Sequence, residues 1–195
     1  MTMTKLAAAG RVIVLNGTSS SGKSTLARLL QQGFEEPHLH VQLDAFRAME
    51  PPGYFDGLSP EVSALRLAAL CRAINAATAE YARHGQHVIL DHVLPRQGWA
   101  YLAQGLAGLP VYLVGVRCDL PQLQQREARR KDRPVGLAES QMSMHDAVLY
   151  DFEIDTSKSS PQDCAQAVLA WFAAKPIAHA FAGMVSAGSR KQASS

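Results

Sequence analysis

The sequence predicts an α/β fold, a doubly wound sheet of five parallel strands with helices on both faces, on three observations. Short apolar runs alternate with longer stretches of helical periodicity, the pattern of consecutive βαβ units. The first run, Val12-Ile13-Val14-Leu15, leads through Asn16 into Gly17-Thr18-Ser19-Ser20-Ser21-Gly22-Lys23-Ser24, and a helical stretch follows. The runs also end in residues able to carry chemistry, as expected of a sheet whose ligands sit at the carboxyl ends of its strands.

Taken in order, residues 11–16 form the first strand, and Thr25-Leu26-Ala27-Arg28-Leu29-Leu30 opens the helix behind the octapeptide. Residues 38–43 form the second strand, closed by Asp44. Residues 49–58 are aromatic, apolar and stiffened by Pro51 and Pro52, which suits either the wall of a small-molecule pocket or a surface loop. The spacing then predicts a helix over 60–83 that buries a stripe of Leu67, Leu70, Ile74, Ala77 and Tyr81. Residues 87–91 are the third strand, ending in Asp91 and followed by His92. Trp99 and Tyr101, on a helix after Pro95, are assigned to the core. Residues 111–117 are the fourth strand and 151–155 the fifth. Ser160-Pro161 starts a last helix that buries Ala165, Val168, Leu169 and Phe172. Residues 1–175 read as a single domain, and the small, polar stretch 176–195 as a flexible tail.

Composition narrows the class. An apolar content of 47% supports a substantial core, and with a net charge of +2 no basic face dense enough to announce nucleic acid is present outside one short cluster. The three cysteines, Cys71, Cys118 and Cys164, lack the CxxC spacing of zinc or redox sites and read as free thiols of a reducing compartment. No apolar segment has the length of a secretory core or a membrane span, so a soluble, cytoplasmic protein is expected.

The octapeptide matches GxxxxGK[ST], the phosphate loop of P-loop NTPases, in the strand-to-helix context that pattern requires. Its glycines permit turns closed to other residues, so that backbone N–H groups converge on a phosphate. Lys23 adds a mobile charge for the terminal phosphates of ATP, and the Ser24 hydroxyl is placed to hold Mg2+. Gly17, Thr18, Ser19, Ser20, Ser21, Gly22, Lys23, Ser24 and Thr25 are therefore the nucleotide-binding candidates. Asp44 would emerge beside this loop, where one carboxylate can orient an acceptor hydroxyl and take its proton. The same residue suits a helix N-cap, and the two roles are compatible. Asp91 is the acidic residue expected to complete the Mg2+ site with Ser24. A lone His92 reads first as a structural residue.

The cluster Arg126-Glu127-Ala128-Arg129-Arg130-Lys131-Asp132-Arg133, before Pro134-Val135-Gly136, has two readings. It is a surface helix with solvated charges, or a lid whose arginines close on ATP, neutralise the transferring phosphoryl group and exclude water. Arg129 and Arg133 are the expected phosphate contacts, and Arg133 joins Asp44 and Lys23 as a catalytic candidate. The partner implied is a small molecule bearing a hydroxyl. Basic residues elsewhere are too sparse for a nucleic-acid face.

Several stretches resemble the chloramphenicol phosphotransferase family of small P-loop kinases. They are Ile13 through Ser24, Val114-Gly115-Val116-Arg117-Cys118-Asp119, Arg126-Glu127 with Asp132-Arg133 and Gly136, and His145 with Tyr150-Asp151, Glu153 and Asp155-Thr156. The resemblance implies ATP-dependent phosphorylation of a chloramphenicol hydroxyl, Asp44 as general base, and a fold similar to adenylate and shikimate kinases. The chain departs from the family pattern at His92, where a second acidic residue is expected, and in the loop 49–58. Asp44-Ala45-Phe46-Arg47 also resembles the DxFR stretch of zeta-type toxins, kinases of nucleotide sugars. A nucleotide-dependent switch is the alternative outside enzymology, and the chain has no guanine-reading NKxD motif to favour it.

Overall fold

The computed structural model describes residues 8–95, 97–130 and 136–185. Five strands form one parallel sheet: β1 (Val12–Asn16), β2 (His38–Gln42), β3 (His87–His92), β4 (Val111–Arg117) and β5 (Phe152–Asp155). Their spatial order is β2-β3-β1-β4-β5. β1 is thus central, paired in parallel with β3 on one side and β4 on the other. The predicted bounds of 111–117 and 60–83 are reproduced, and the other strand ends shift by a single residue.

The two faces follow from the pleat. Successive residues of β1 point to opposite sides of the sheet, and both sides are covered, so the strand is apolar throughout. Val12 and Val14 join one core with Val88, Leu90 and Leu113, under α3 (Pro60–Arg83) and α4 (Gly98–Gly105). Ile13 and Leu15 join the other with Ile89, Val114 and Val116, under α1 (Lys23–Gly33) and α7 (Pro161–Ala173). The chain leaves β1 over the α1 face toward β2, and leaves β3 over the α4 face toward β4. A crevice therefore opens above the carboxyl ends of β1 and β3, where the two connections part.

Three helices begin with the caps their sequences advertise. Ser59 precedes Pro60 and accepts from Val62 N at 3.3 Å. Ser160 precedes Pro161 and accepts from Asp163 N at 3.1 Å. Asp119 opens α5 (Leu120–Ala128) and accepts from Gln122 N at 2.9 Å.

Some expectations are corrected. In α3 the buried residues are Ile74, Asn75, Thr78, Ala79 and Ala82, while Leu67 and Tyr81 are exposed. Tyr101 is only half-buried and carries the Arg72 guanidinium over its ring at 4.4 Å, whereas Trp99 is buried as expected. The first part of the expected tail is packed: Ala180 and Phe181 are buried in the α3 face core. The reason is Asp151, whose Oδ1 accepts from His179 N at 2.9 Å and Ala180 N at 3.0 Å. Among the described residues no helix is long and apolar enough to cross a membrane.

Candidate functional site

The crevice holds a cleft of about 700 Å3 built from the phosphate loop, the end of β3, α2 (Leu43–Arg47), one flank of α3 and the end of α5. Ser19, Ser20, Gly22, Lys23, Ser24 and Thr25 line it on the loop side, and Gly17, Thr18 and Ser21 complete the loop behind them. Gly22 carries a φ of 93° and caps α1 with no side-chain partner, so the first amides of α1 are left for a ligand. Gly17 is required for a different reason than the expected turn: a Cβ there would lie 2.4 Å from the Val116 carbonyl oxygen. Ser20 takes the left-handed conformation at φ 62°.

The loop holds itself in shape. Lys23 Nζ donates to the carbonyls of Gly17 and Thr18, each at 2.8 Å. Ser19 N donates to Gln141 Oε1 at 2.7 Å, tying the loop to the segment after α6 (Leu137–Ser140). Arg126 bridges Ser20 O at 3.4 Å, Thr156 Oγ1 at 3.0 Å and Thr156 O at 2.8 Å, fixing the loop against the end of β5. The hydroxyls of Ser19, Ser20 and Ser21 are buried with no hydrogen-bond partner among the described residues. Buried polar groups without partners are rare, and a loop of uncapped amides and spare hydroxyls fits an anion.

Ser24 Oγ donates to Asp91 Oδ2 at 2.6 Å, the pair expected from sequence. His40 Nε2, on the neighbouring β2, lies 3.5 Å from the same oxygen. Burial favours the neutral form of Asp91, but the His40 imidazole, the Lys23 charge and the Ser24 hydroxyl hold its carboxyl below the usual carboxylate range. A single hydroxyl and a single carboxylate suit Mg2+, which keeps waters and takes further oxygens from phosphates. His92 is fully buried; Nδ1 lies 3.1 Å from Val93 O, and burial lowers its pKa to about 4, so it is neutral.

Asp44 lines the same cleft as the loop, with Arg47 one turn on along α2. β2 ends at Gln42, so Asp44 lies in the first turn of α2 rather than closing the strand. Its alternative role is filled by Gln42, which occupies the N-cap position. Arg126 and Arg130 line the cleft, and Arg129, the expected contact, does not. Arg133 lies outside the described residues. None of residues 49–58 lines the cleft; the surface-loop reading holds there, with Tyr54 edge-on to Phe55 at 5.2 Å.

Sequence reasoning missed two groups. Glu127, read as one of the solvated charges, is buried and accepts from Gly136 N at 2.7 Å and Ala138 N at 3.0 Å. Its position four residues after buried Leu123 was the available signal. The second is a polar chain beneath the loop. Asn16 Nδ2 donates to Tyr150 Oη at 2.7 Å, Asn16 Oδ1 accepts from Leu94 N at 3.0 Å, and His145 Nδ1 lies 2.8 Å from the phenol oxygen.

A Mycobacterium tuberculosis (strain ATCC 25618 / H37Rv) protein described as a candidate O-phosphotransferase is 29% identical over 198 residues, covering 88% of this chain and 86% of its own. Two solved structures share the fold. The M. tuberculosis APS kinase in complex with AMPPNP and APS has a TM-score of 0.63 and 19% identity, covering 84% of this chain and 97% of its own. The Acinetobacter baumannii shikimate kinase in complex with shikimate has a TM-score of 0.63 and 15% identity, covering 87% and 96%. The model of the chloramphenicol phosphotransferase-like proteins matches residues 10–173, from the strand before the phosphate loop to the end of α7, and the chain belongs to that family.

Proposed function

We propose that the protein is an ATP-dependent O-phosphotransferase that moves the γ-phosphoryl group of ATP onto a hydroxyl of a small molecule. The observation that carries this reading is one cleft lined together by Asp44, Lys23, Ser24 and Asp91, so that a carboxylate and a phosphate loop share a single space. Lys23 would exchange its two loop carbonyls for phosphate oxygens, and the amides at the start of α1 would cradle the donor. Ser24 and Asp91 would hold Mg2+, which when bound supplies positive charge against the phosphate oxygens. Asp44 orients the acceptor hydroxyl and takes its proton as that oxygen bonds to the γ-phosphorus. The bond from phosphorus to the β–γ bridging oxygen breaks, and ADP leaves with the electron pair. Arg126 and Arg130 take the flank expected of Arg129, and Arg133 is retained as a lid charge on its sequence position alone.

The family makes chloramphenicol the first acceptor to test. Incubation with Mg-ATP and the drug tests it by mass spectrometry: a phosphorylated product makes the drug an acceptor, and its absence removes the drug while leaving the class. Asp44→Asn should lower kcat by about a hundredfold or more with ATP binding retained; full activity in this variant overturns the assignment of the base. A second reading, a zeta-type kinase of a nucleotide sugar, is favoured by Arg47 sharing the cleft with Asp44. Expression separates the two, because such a toxin arrests its host and a resistance kinase raises the tolerated drug dose.

A further inference from the structure

The charge of the cleft exceeds what the nucleotide accounts for. Its described lining carries five basic residues, Lys23, Arg28, Arg47, Arg126 and Arg130, against two acidic ones, Asp44 and Asp91. Lys23, Arg126 and Arg130 belong to the loop side, where a triphosphate would lie, and Asp91 is bonded to Ser24. Arg28 and Arg47 line the same cleft and are left with no part in holding the triphosphate.

Arg28 sits one turn beyond Ser24 on the same face of α1, about 6 Å farther along the helix axis from the phosphate loop. Helical side chains lean toward the N-terminus, which directs its guanidinium back over the cleft. It makes no side-chain hydrogen bond, ion pair or ring contact among the described residues. Arg47 lies at i+3 from Asp44, on the same face of α2. It is held by Glu50 at 3.3 Å and by the Phe55 ring, whose centroid is 5.3 Å from the guanidinium carbon. Arg47 itself is exposed and both contacts are weak, so they aim the side chain while leaving donors free. The same cleft has apolar lining, Leu67 and Leu70 of α3 with Val93 and Pro95.

Resting on the kinase reading above, we infer that the acceptor is an anionic alcohol. Its carboxylate, sulfate or phosphate group is held between Arg28 and Arg47, its carbon skeleton lies on the Leu67-Leu70 wall, and its hydroxyl is presented to Asp44. Planar guanidinium groups bond such oxyanions two donors at a time, which fixes orientation as well as affinity. A neutral acceptor such as chloramphenicol, which carries no ionisable group, offers Arg28 no counter-charge. The hydroxyl proton goes to Asp44 and the γ-phosphoryl group to the hydroxyl oxygen, as above; the anionic group takes no part in bond making.

The test uses the full chain with Mg-ATP and acceptors in matched pairs: gluconate with glucose, shikimate with its methyl ester, and UDP-N-acetylglucosamine with free N-acetylglucosamine, plus chloramphenicol. The first two pairs report a carboxylate and the third a diphosphate. The anionic member of at least one pair should be preferred by about tenfold or more in kcat/KM. Arg28→Gln and Arg47→Gln should each raise its KM by about tenfold while kcat moves by less than about threefold, and Arg28→Lys should recover part of the loss. Arg83→Gln, at the far end of α3 and paired with Glu80, is the control and should change nothing. A readout without turnover, isothermal titration calorimetry on the Asp44→Asn variant, should show binding of the anionic alcohol that adding Arg28→Gln weakens by about tenfold. Phosphorylation of neutral and anionic members with equal efficiency, or indifference to both arginine variants, overturns the anion site and leaves the kinase standing. Anion-dependent binding with no transfer to any acceptor overturns the kinase reading and leaves the anion site. Neither binding nor transfer anywhere in the panel overturns both.

Discussion

Position 115 illustrates how a single residue supports the site from beneath. Gly115, opposite Asn16 in the β1–β4 register, faces the Tyr150 ring, and a Cβ there would meet three ring carbons at 2.8 to 3.0 Å. The ring cannot swing aside cheaply, because its hydroxyl is bonded to Asn16 and sits 2.8 Å from His145. Asn16 in turn holds Leu94 and immediately precedes the phosphate loop. Gly115→Ala should therefore cost about 1–3 kcal/mol, seen as a lower Tm, and should weaken nucleotide binding through the displaced Asn16. Gly183→Ala, where a Cβ meets nothing within 4 Å, should be neutral or slightly stabilising. At this scale the sequence was legible wherever local pattern sets the role. The phosphate loop and the Ser24–Asp91 pair were readable because a fixed spacing and a strand end place them. The Asn16–Tyr150 contact was not, since it joins residues 134 positions apart.

Among the elements, α3 separates what periodicity determines from what packing determines. Its bounds were readable because Ser59-Pro60 caps it and helical spacing sustains it. Of its expected buried stripe Ile74 is buried, but the first half of the helix overhangs the cleft, where Leu67 and Leu70 line a ligand space in place of a core. Buried Thr78 satisfies its own hydroxyl on the Ile74 carbonyl at 2.8 Å, a local solution that hydrophobic spacing does not register. The segment from α5 to α6 shows the same limit with charge. Glu127 is buried, so its carboxylate is anchored to the Gly136 and Ala138 amides instead of to water. Removing it strands two amides, one of them on a buried residue. Glu127→Ala should destabilise by about 2–4 kcal/mol in urea unfolding and speed amide exchange at Ala138, with Glu127→Gln, which keeps one acceptor, costing about half as much. A decrease in kcat with unchanged stability would contradict this structural role.

Over the whole molecule, buried neutral histidines tie stability to pH. His38 is packed between Phe34, 4.1 Å away by ring centroids, and His87, 5.0 Å away. Burial, with the nearby Arg11 charge and His87, lowers its pKa to about 4 against the pull of the Glu36 carbonyl and carboxylate. His87 is lowered for the same reasons, burial first and then Arg11, with Glu36 opposing. At the other end of the sheet burial lowers His145 to about 4, helped by Arg117 and Lys23 and opposed by Glu153 and Asp146. Tyr150, pushed up to about 12 by burial, keeps its proton, and a neutral His145 accepts it at Nδ1 while Asn16 donates to the phenol oxygen. The sign follows from proton counting. An unfolded histidine titrates near 6.5 and folded His38 and His145 near 4, with His87 shifted in the same direction, so between those values the unfolded chain binds more protons. The stabilisation is full above about pH 6.5, erodes as pH falls and is gone below about pH 4. Thermal melts should give a flat Tm between pH 7 and 8 and a progressive fall from 6.5 to 5. High salt should change that fall little, because burial is the leading cause at each histidine. His38→Gln combined with His145→Gln should make the fall shallower, with His87 and His92 keeping their share, while lowering Tm at pH 7.5 through lost packing; an equally steep fall in the double variant would place its origin in other groups.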